Sequence, residues 1–167
     1  MILLAVLLLS GGTVADLDAE LRAATSATAI LQERCATPIR AEVDRTAKKA
    51  APADVRADLG VGPDTPLVYR LVRLTCDGIV YSRAENWYRP DRLTGAINQA
   101  LLSGDTPFGV AIRPLAPTRR TLESERPHEA GAVLRHRALV LSGEGVPLAE
   151  VVETYTDDLP LQGPAGE

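Results

Sequence analysis

The sequence predicts an α+β domain: an antiparallel sheet with helices packed on one side. Runs with strand-like alternation outnumber helical ones, and they recur in pairs around tight turn signals, at Cys76-Asp77-Gly78 and at Ser142-Gly143-Glu144-Gly145. A length of 167 residues suits one domain with a proper core rather than two.

The first residues, MILLAVLLLSGG, form an apolar run too short to span a bilayer and without the basic start of a signal peptide, although Thr13-Val14-Ala15 before Asp16 loosely imitates a cleavage site. Residues 1–12 are therefore expected to stand outside the domain, as a buried terminal segment, the result of a start placed too early or a secretion signal, with a cytoplasmic protein as the leading expectation. Thr13 with Asp16 three residues on marks a helix start, and Val14, Leu17 and Leu21 share one face of a helix ending near Ala24. Thr25-Ser26-Ala27-Thr28 interrupts it, after which Ile30, Leu31 and Cys35 resume helical spacing. Pro38 to Val43 alternates as a half-exposed strand, and Ala51 to Leu59 is a short helix or turn.

Leu67 to Pro90 is the clearest hairpin in the chain. Arg70 stands in an otherwise apolar row with Val68, Val72, Leu74 and Cys76. A two-residue turn at Asp77-Gly78 sets Arg70 opposite Glu85, in an ordinary cross-strand ion pair. A three-residue loop sets it opposite Ala84, in a small-walled recess suited to gripping a carboxylate. Leu93 to Leu102 is an amphipathic helix, Asp105 to Gly109 a tight loop, and Leu115 to Arg126 contains a strand of unusually polar alternation, TRRTLES. Val133–Leu141 and Val146–Tyr155 form the second hairpin, and the chain from Asp157 reads as a frayed tail.

A net charge of -4 with interspersed signs and 4% aromatic residues gives no basic stripe for nucleic acid. Cys35, Cys76, His128 and His136 have no metal-ligand spacing, so no metal is expected; both cysteines read as reduced, buried residues and His136, between Arg135 and Arg137, as a solvated strand position.

The arginine-bearing strand with its DG turn (Arg70 to Gly78), Ser82-Arg83-Ala84-Glu85, the Thr106-Pro107-Phe108-Gly109 loop and the last hairpin through Glu153-Thr154-Tyr155 follow one another in an order that resembles the chorismate pyruvate-lyases and the UTRA effector-binding domains that share their fold. The resemblance covers roughly Leu17 to Asp158, giving one domain over 13–158 and a flexible tail over 159–167. It implies a six-stranded antiparallel sheet whose helical covers enclose a small dry site.

The resemblance also implies roles. Arg70 would bind a ring carboxylate, assisted by backbone amides near Ala27, Thr28, Phe108 and Gly109, with Ala84 at the wall. Glu153 would meet the hydroxyl at the far end of the ring, with Glu150 as its rival. The implied reaction removes pyruvate from chorismate to leave 4-hydroxybenzoate. Loss of the enolpyruvyl ether together with a ring hydrogen makes the ring aromatic, so no cofactor is needed, only a positioned acid/base in a dry site. The second carboxylate of such a substrate would want another cation, for which Arg83, Arg135 and Arg137 are candidates. The implied alternatives are a non-catalytic effector-binding domain for a benzoate-type molecule, and a lyase acting on a related cyclohexadiene acid. The expected partners are small molecules, with no nucleic acid or membrane, in a monomer or weak homodimer. Three departures bear on substrate fit: residues 1–12 lie outside the resemblance, no glycine occurs in Thr25–Thr28, and Ala84 stands where a glycine can occur.

Overall fold

The structure, a computed structural model, describes residues 11–163; the expectations for the apolar start and the last residues of the tail fall largely outside them. Helix α1 (Val14–Ala23) opens on the expected capping box: the Thr13 hydroxyl accepts from the Asp16 N–H at 3.1 Å and the Asp16 carboxylate from the Thr13 N–H at 2.8 Å. Two of the four orphan amides of the first turn are thereby answered. After a sharp corner comes α2 (Ala27–Gln32), only six residues long. Strand β1 (Arg40–Asp44), helix α3 (Ala53–Asp58), strands β2 (Val68–Cys76) and β3 (Ile79–Tyr88), helices α4 (Gly95–Ser103) and α5 (Phe108–Ala111), and strands β4 (Thr118–Glu125), β5 (Ala132–Leu141) and β6 (Pro147–Thr156) follow.

The six strands form one antiparallel sheet in the order β1-β2-β3-β6-β5-β4. The two hairpins meet along β3 and β6, which places Ala84 beside Glu153 at the centre of the sheet. Leu17, Leu21 and Leu31 from α1 and α2 pack over Val72, Leu74 and Tyr155, while Ile97 and Leu101 of α4 and Phe108 of α5 pack over Tyr88, Ala138 and Val151. These helices share one face. The expectation that all helices lie there fails for α3, whose Val55 and Leu59 cover Trp87 and Leu139 on the opposite face. Trp87 and Leu139 alternate with inward residues, so the second face also has apolar area to bury.

Neither expected register of the first hairpin occurs. Asp77 and Gly78 both have positive φ, 48° and 84°, forming the two-residue turn that joins Cys76 to Ile79. A bulge then leaves Tyr81 without a partner, since Thr75 pairs with Val80 and Leu74 with Ser82. The extra residue moves Arg70 from Glu85 to Asn86.

Three further expectations are corrected. Cys35 and Cys76 form a disulfide, with a Cα–Cα distance of 5.8 Å, tying the segment after α2 to the end of β2. His136 is fully buried, because its strand neighbours Arg135 and Arg137 point to the other face. The chain beyond Asp157 is anchored at first: Leu159 is buried, and the Arg34 guanidinium donates to the Pro160 carbonyl at 2.9 Å and pairs with Glu20.

Candidate functional site

Ala84, Val72 and Glu153 lie side by side across three strands, and His136 continues the line on β5. All four share the face under α1, α2 and α5; Asn86 and Val151 lie in the next rung on that face and Val140 in the one after it. Between this floor and the roof made by Thr25–Thr28 and Phe108–Gly109 lies a hollow of about 40 Å³. At 10–15 Å³ per water it holds roughly three waters, a tight fit for a six-membered ring. The roof is closely fitted: a Cβ on Gly109 would come within 2.7 Å of the Ser26 hydroxyl and 3.0 Å of the Thr28 hydroxyl.

The structure thus brings Ala27, Thr28, Ala84, Phe108, Gly109 and Glu153 around one hollow. Arg70 is on the same face, one rung from Val72, but borders a different cavity near the end of β1. Glu150 faces the α3 side, where it is fully buried and accepts from Arg137 at 3.0 Å. Burial pushes its carboxyl above the usual range, against the pull of Arg137. The candidate second cations do not reach the hollow: Arg83 pairs with Glu129, Arg135 with Glu125, and Arg137 with Glu123, Asp54, Asp58 and Glu150.

The cation that does line the hollow is Arg119 of β4. It donates to Glu153 Oε2 at 2.5 Å, and Tyr155 donates its hydroxyl to the same oxygen at 2.8 Å. The side chains of Arg119 and Glu153 are 2% and 10% exposed, so this is a buried ion pair. Burial alone would lower the Arg119 pKa, but the carboxylate beside it holds it above its ordinary value. A second Arg119 nitrogen donates to the Leu21 carbonyl at the end of α1 and to the Thr121 hydroxyl.

Behind the pair, Arg119 lies 3.3 Å from His136 Nδ1. An arginine only donates, so Nδ1 accepts, and the imidazole hydrogen sits on Nε2, 2.6 Å from Asp18 Oδ1. Burial, helped by the Arg119 charge, lowers the His136 pKa and favours this neutral tautomer. Asp18 also accepts from Ser124 and Arg22, and these bonds outweigh its desolvation and depress its pKa. Sequence reasoning missed Arg119 and Asn86, which also lines the hollow. The available signal was alternation: of the adjacent Arg119 and Arg120, one must turn inward on a strand.

These features define a class by fold: the chain has the six-stranded, chorismate lyase-like α+β architecture also found in the UTRA-type domains of GntR-family regulators. Among solved structures, PhnF from Mycobacterium smegmatis superposes with a TM-score of 0.54 at 13% identity, over 73% of this chain and 60% of that one. The separate effector domain of PhnF gives 0.51 at 14% identity over 72% and 81%. The possible transcriptional regulator YydK from Bacillus subtilis gives 0.53 at 12% identity over 77% and 62%. In sequence, the chain is similar to the uncharacterized protein y4mC of Sinorhizobium fredii (strain NBRC 101917 / NGR234), 35% identical over 133 residues. That match covers 66% of this chain and 56% of y4mC, so the chain spans little more than half its relative's length. No protein-family profile matches the sequence. Among the described residues no helix is long and apolar enough to cross a membrane.

Proposed function

We propose that this domain binds a small, largely apolar ring compound bearing one acidic or hydroxyl group, in the hollow under α2 and α5, as an effector-type binding domain. The observation that carries this reading is the composition of the hollow: apolar side chains form most of its wall, and its two ionic groups, Arg119 and Glu153, neutralise each other. Such a site offers a ring dispersion contacts and a single polar end. Its fold likeness to the effector domain of PhnF supports the same reading. Entry of a ring displaces the roof at Thr25–Thr28 and Phe108–Gly109, since the hollow of about 40 Å³ has room for only about three waters.

Thermal denaturation against a panel of hydroxybenzoates and cyclic acids tests this. A ligand at one hundred times its Kd adds about 2.7 kcal/mol, which raises Tm by roughly 5–11 °C for a chain of this size. Ala84→Phe, which fills the hollow from its floor, abolishes the rise. A panel without any stabilising compound, or equal binding by the filled variant, overturns the reading.

A second reading, chorismate pyruvate-lyase, is favoured by one observation. Arg119 and Tyr155 both donate to Glu153 Oε2, and the Glu153 carboxylate lines the same hollow as Ala27, Ala84, Phe108 and Gly109. In that reading Glu153 exchanges a proton with the ring hydroxyl or the ether and Arg119 meets a carboxylate. Pyruvate release from chorismate, lost in Glu153→Gln, tests it. No release above background by the wild-type protein ends it.

A further inference from the structure

The hollow has a polar group that its ion pair does not serve. Asn86 of β3 lines the floor and is 3% exposed, and its side-chain oxygen is buried and unpartnered among the described residues. The bulge at Tyr81 sets the register that places Asn86 opposite Arg70 on β2, and on its other side stands Val151 of β6. The Val151 side chain has nothing to donate, and the Arg70 guanidinium donates instead to the Thr106 carbonyl, at 2.9 Å. Phe108, Ile112 and Val140, also in the wall, are apolar.

A carboxamide oxygen only accepts, so it calls for an N–H or an O–H. Exchanging a water's hydrogen bond for a ligand's gains little, whereas burying the oxygen with no donor at all forfeits its full solvation. Waters in the free hollow can serve it, but a ring that takes their place must bring a donor of its own. Asn86 therefore contributes selection, while the apolar wall contributes affinity. Its position also limits where the donor can stand. Glu153 pairs with Ala84 and Asn86 with Val151, so Asn86 and Glu153 are diagonal neighbours across β3 and β6, about 7–8 Å apart at the backbone. Two groups on adjacent ring carbons stand too close together to meet both.

We infer that Asn86 determines the specificity of the hollow: the ring compound bound there carries a neutral hydrogen-bond donor, a hydroxyl or amino group, on a ring atom not adjacent to the one whose substituent meets Arg119 and Glu153. With the hollow read as a ring-binding site, on which this assignment rests, its ligands narrow to rings with two separated polar substituents. A methyl group in place of the donor keeps the size and shape of the ring compound yet strands the Asn86 oxygen.

The test is isothermal titration of the intact protein with 2-, 3- and 4-hydroxybenzoate and with the methylbenzoates of the same shapes. The better-fitting of 3- and 4-hydroxybenzoate should bind roughly tenfold tighter, or more, than its methyl counterpart. The 2-isomer, whose hydroxyl is turned to its own carboxylate, should show no such advantage. In Asn86→Leu, which keeps the branched shape and removes the acceptor, the ratio falls to about one or below. Ligand-free Asn86→Leu melts no lower than wild type, because the substitution removes an unsatisfied polar atom. Methyl compounds that bind the wild type as tightly as the hydroxyl ones overturn the inference and leave ring binding standing. A hydroxyl preference that survives in Asn86→Leu assigns the donor to Glu153, and a lower Tm of the ligand-free variant shows that the oxygen serves a partner such as Arg70; either result overturns the inference. Binding by none of the compounds removes the ring-binding reading along with it.

Discussion

Removing the Arg119 side-chain charge should be the most damaging single change in the site. Arg119→Met keeps an unbranched apolar stem but leaves Glu153 10% exposed with only the Tyr155 hydroxyl against its carboxylate. It also frees the Leu21 carbonyl and the Thr121 hydroxyl. Breaking a buried pair from one side costs about 3–5 kcal/mol, because the surviving charge is stranded. For a chain of this size that corresponds to a fall in Tm of roughly 6–20 °C. Glu153→Leu strands the arginine instead and should cost a similar amount. The double variant Arg119→Met/Glu153→Leu removes both charges and should recover most of the loss, giving a coupling energy of several kcal/mol. Urea unfolding, with midpoint and slope fitted together, reads all four corners of the cycle. If Arg119→Met costs under about 1 kcal/mol with an unchanged slope, the pair is not buried in solution and the charge-balanced hollow is wrong.

Three other expectations follow from the same geometry. His136 has a pKa lowered by burial and by Arg119, so the unfolded chain takes up its proton first as pH falls; stability is lost below about 6.5, by at most about 1.4 kcal/mol per pH unit from this residue. Unfolding curves from pH 8 to 5 should show that slope reduced in His136→Gln, whereas an identical slope would place the titration elsewhere. The Cys35–Cys76 bond closes a loop with a sequence separation of 41, worth roughly 4 kcal/mol by chain entropy, so Cys35→Ser/Cys76→Ser should lower the urea midpoint and untreated protein should show no free thiol by Ellman titration. Gly109→Ala sets its Cβ 2.7 Å from the Ser26 hydroxyl, so it should speed hydrogen exchange in α2 and α5, and Ser26→Ala should reverse this; a silent Gly109→Ala would mean that the roof is looser than its packing indicates.

The features legible in the sequence are those fixed by local chemistry. Thr13 and Asp16 announce α1 because a capping box needs only its own residues. Asp77-Gly78 announces the hairpin because few residue pairs accept two positive φ values. The bulge at Tyr81 was not legible, since a tyrosine suits a paired and an unpaired strand position equally, and that one extra residue decides Arg70's partner. Pairing of Cys35 with Cys76 depends on where the end of α2 comes to lie, which no spacing reports. His136 could have been read correctly: two arginines flanking a strand residue point away from it, so their exposure argues for its burial.

The distribution of charge on the helix-covered face sets what the hollow can recognise. Arg119 and Arg70 are both buried arginines on that face, yet one contacts a carboxylate at 2.5 Å and the other has a single carbonyl acceptor. A ligand entering the hollow meets a pair that gains little from added charge, so its affinity must come from shape. Ring compounds should therefore depend on Ala84 and the roof and hardly on salt. Ring binding that weakens steeply with ionic strength, or that survives Ala84→Phe, would mean that the Arg119–Glu153 pair opens to meet the ligand and that shape does not decide what binds.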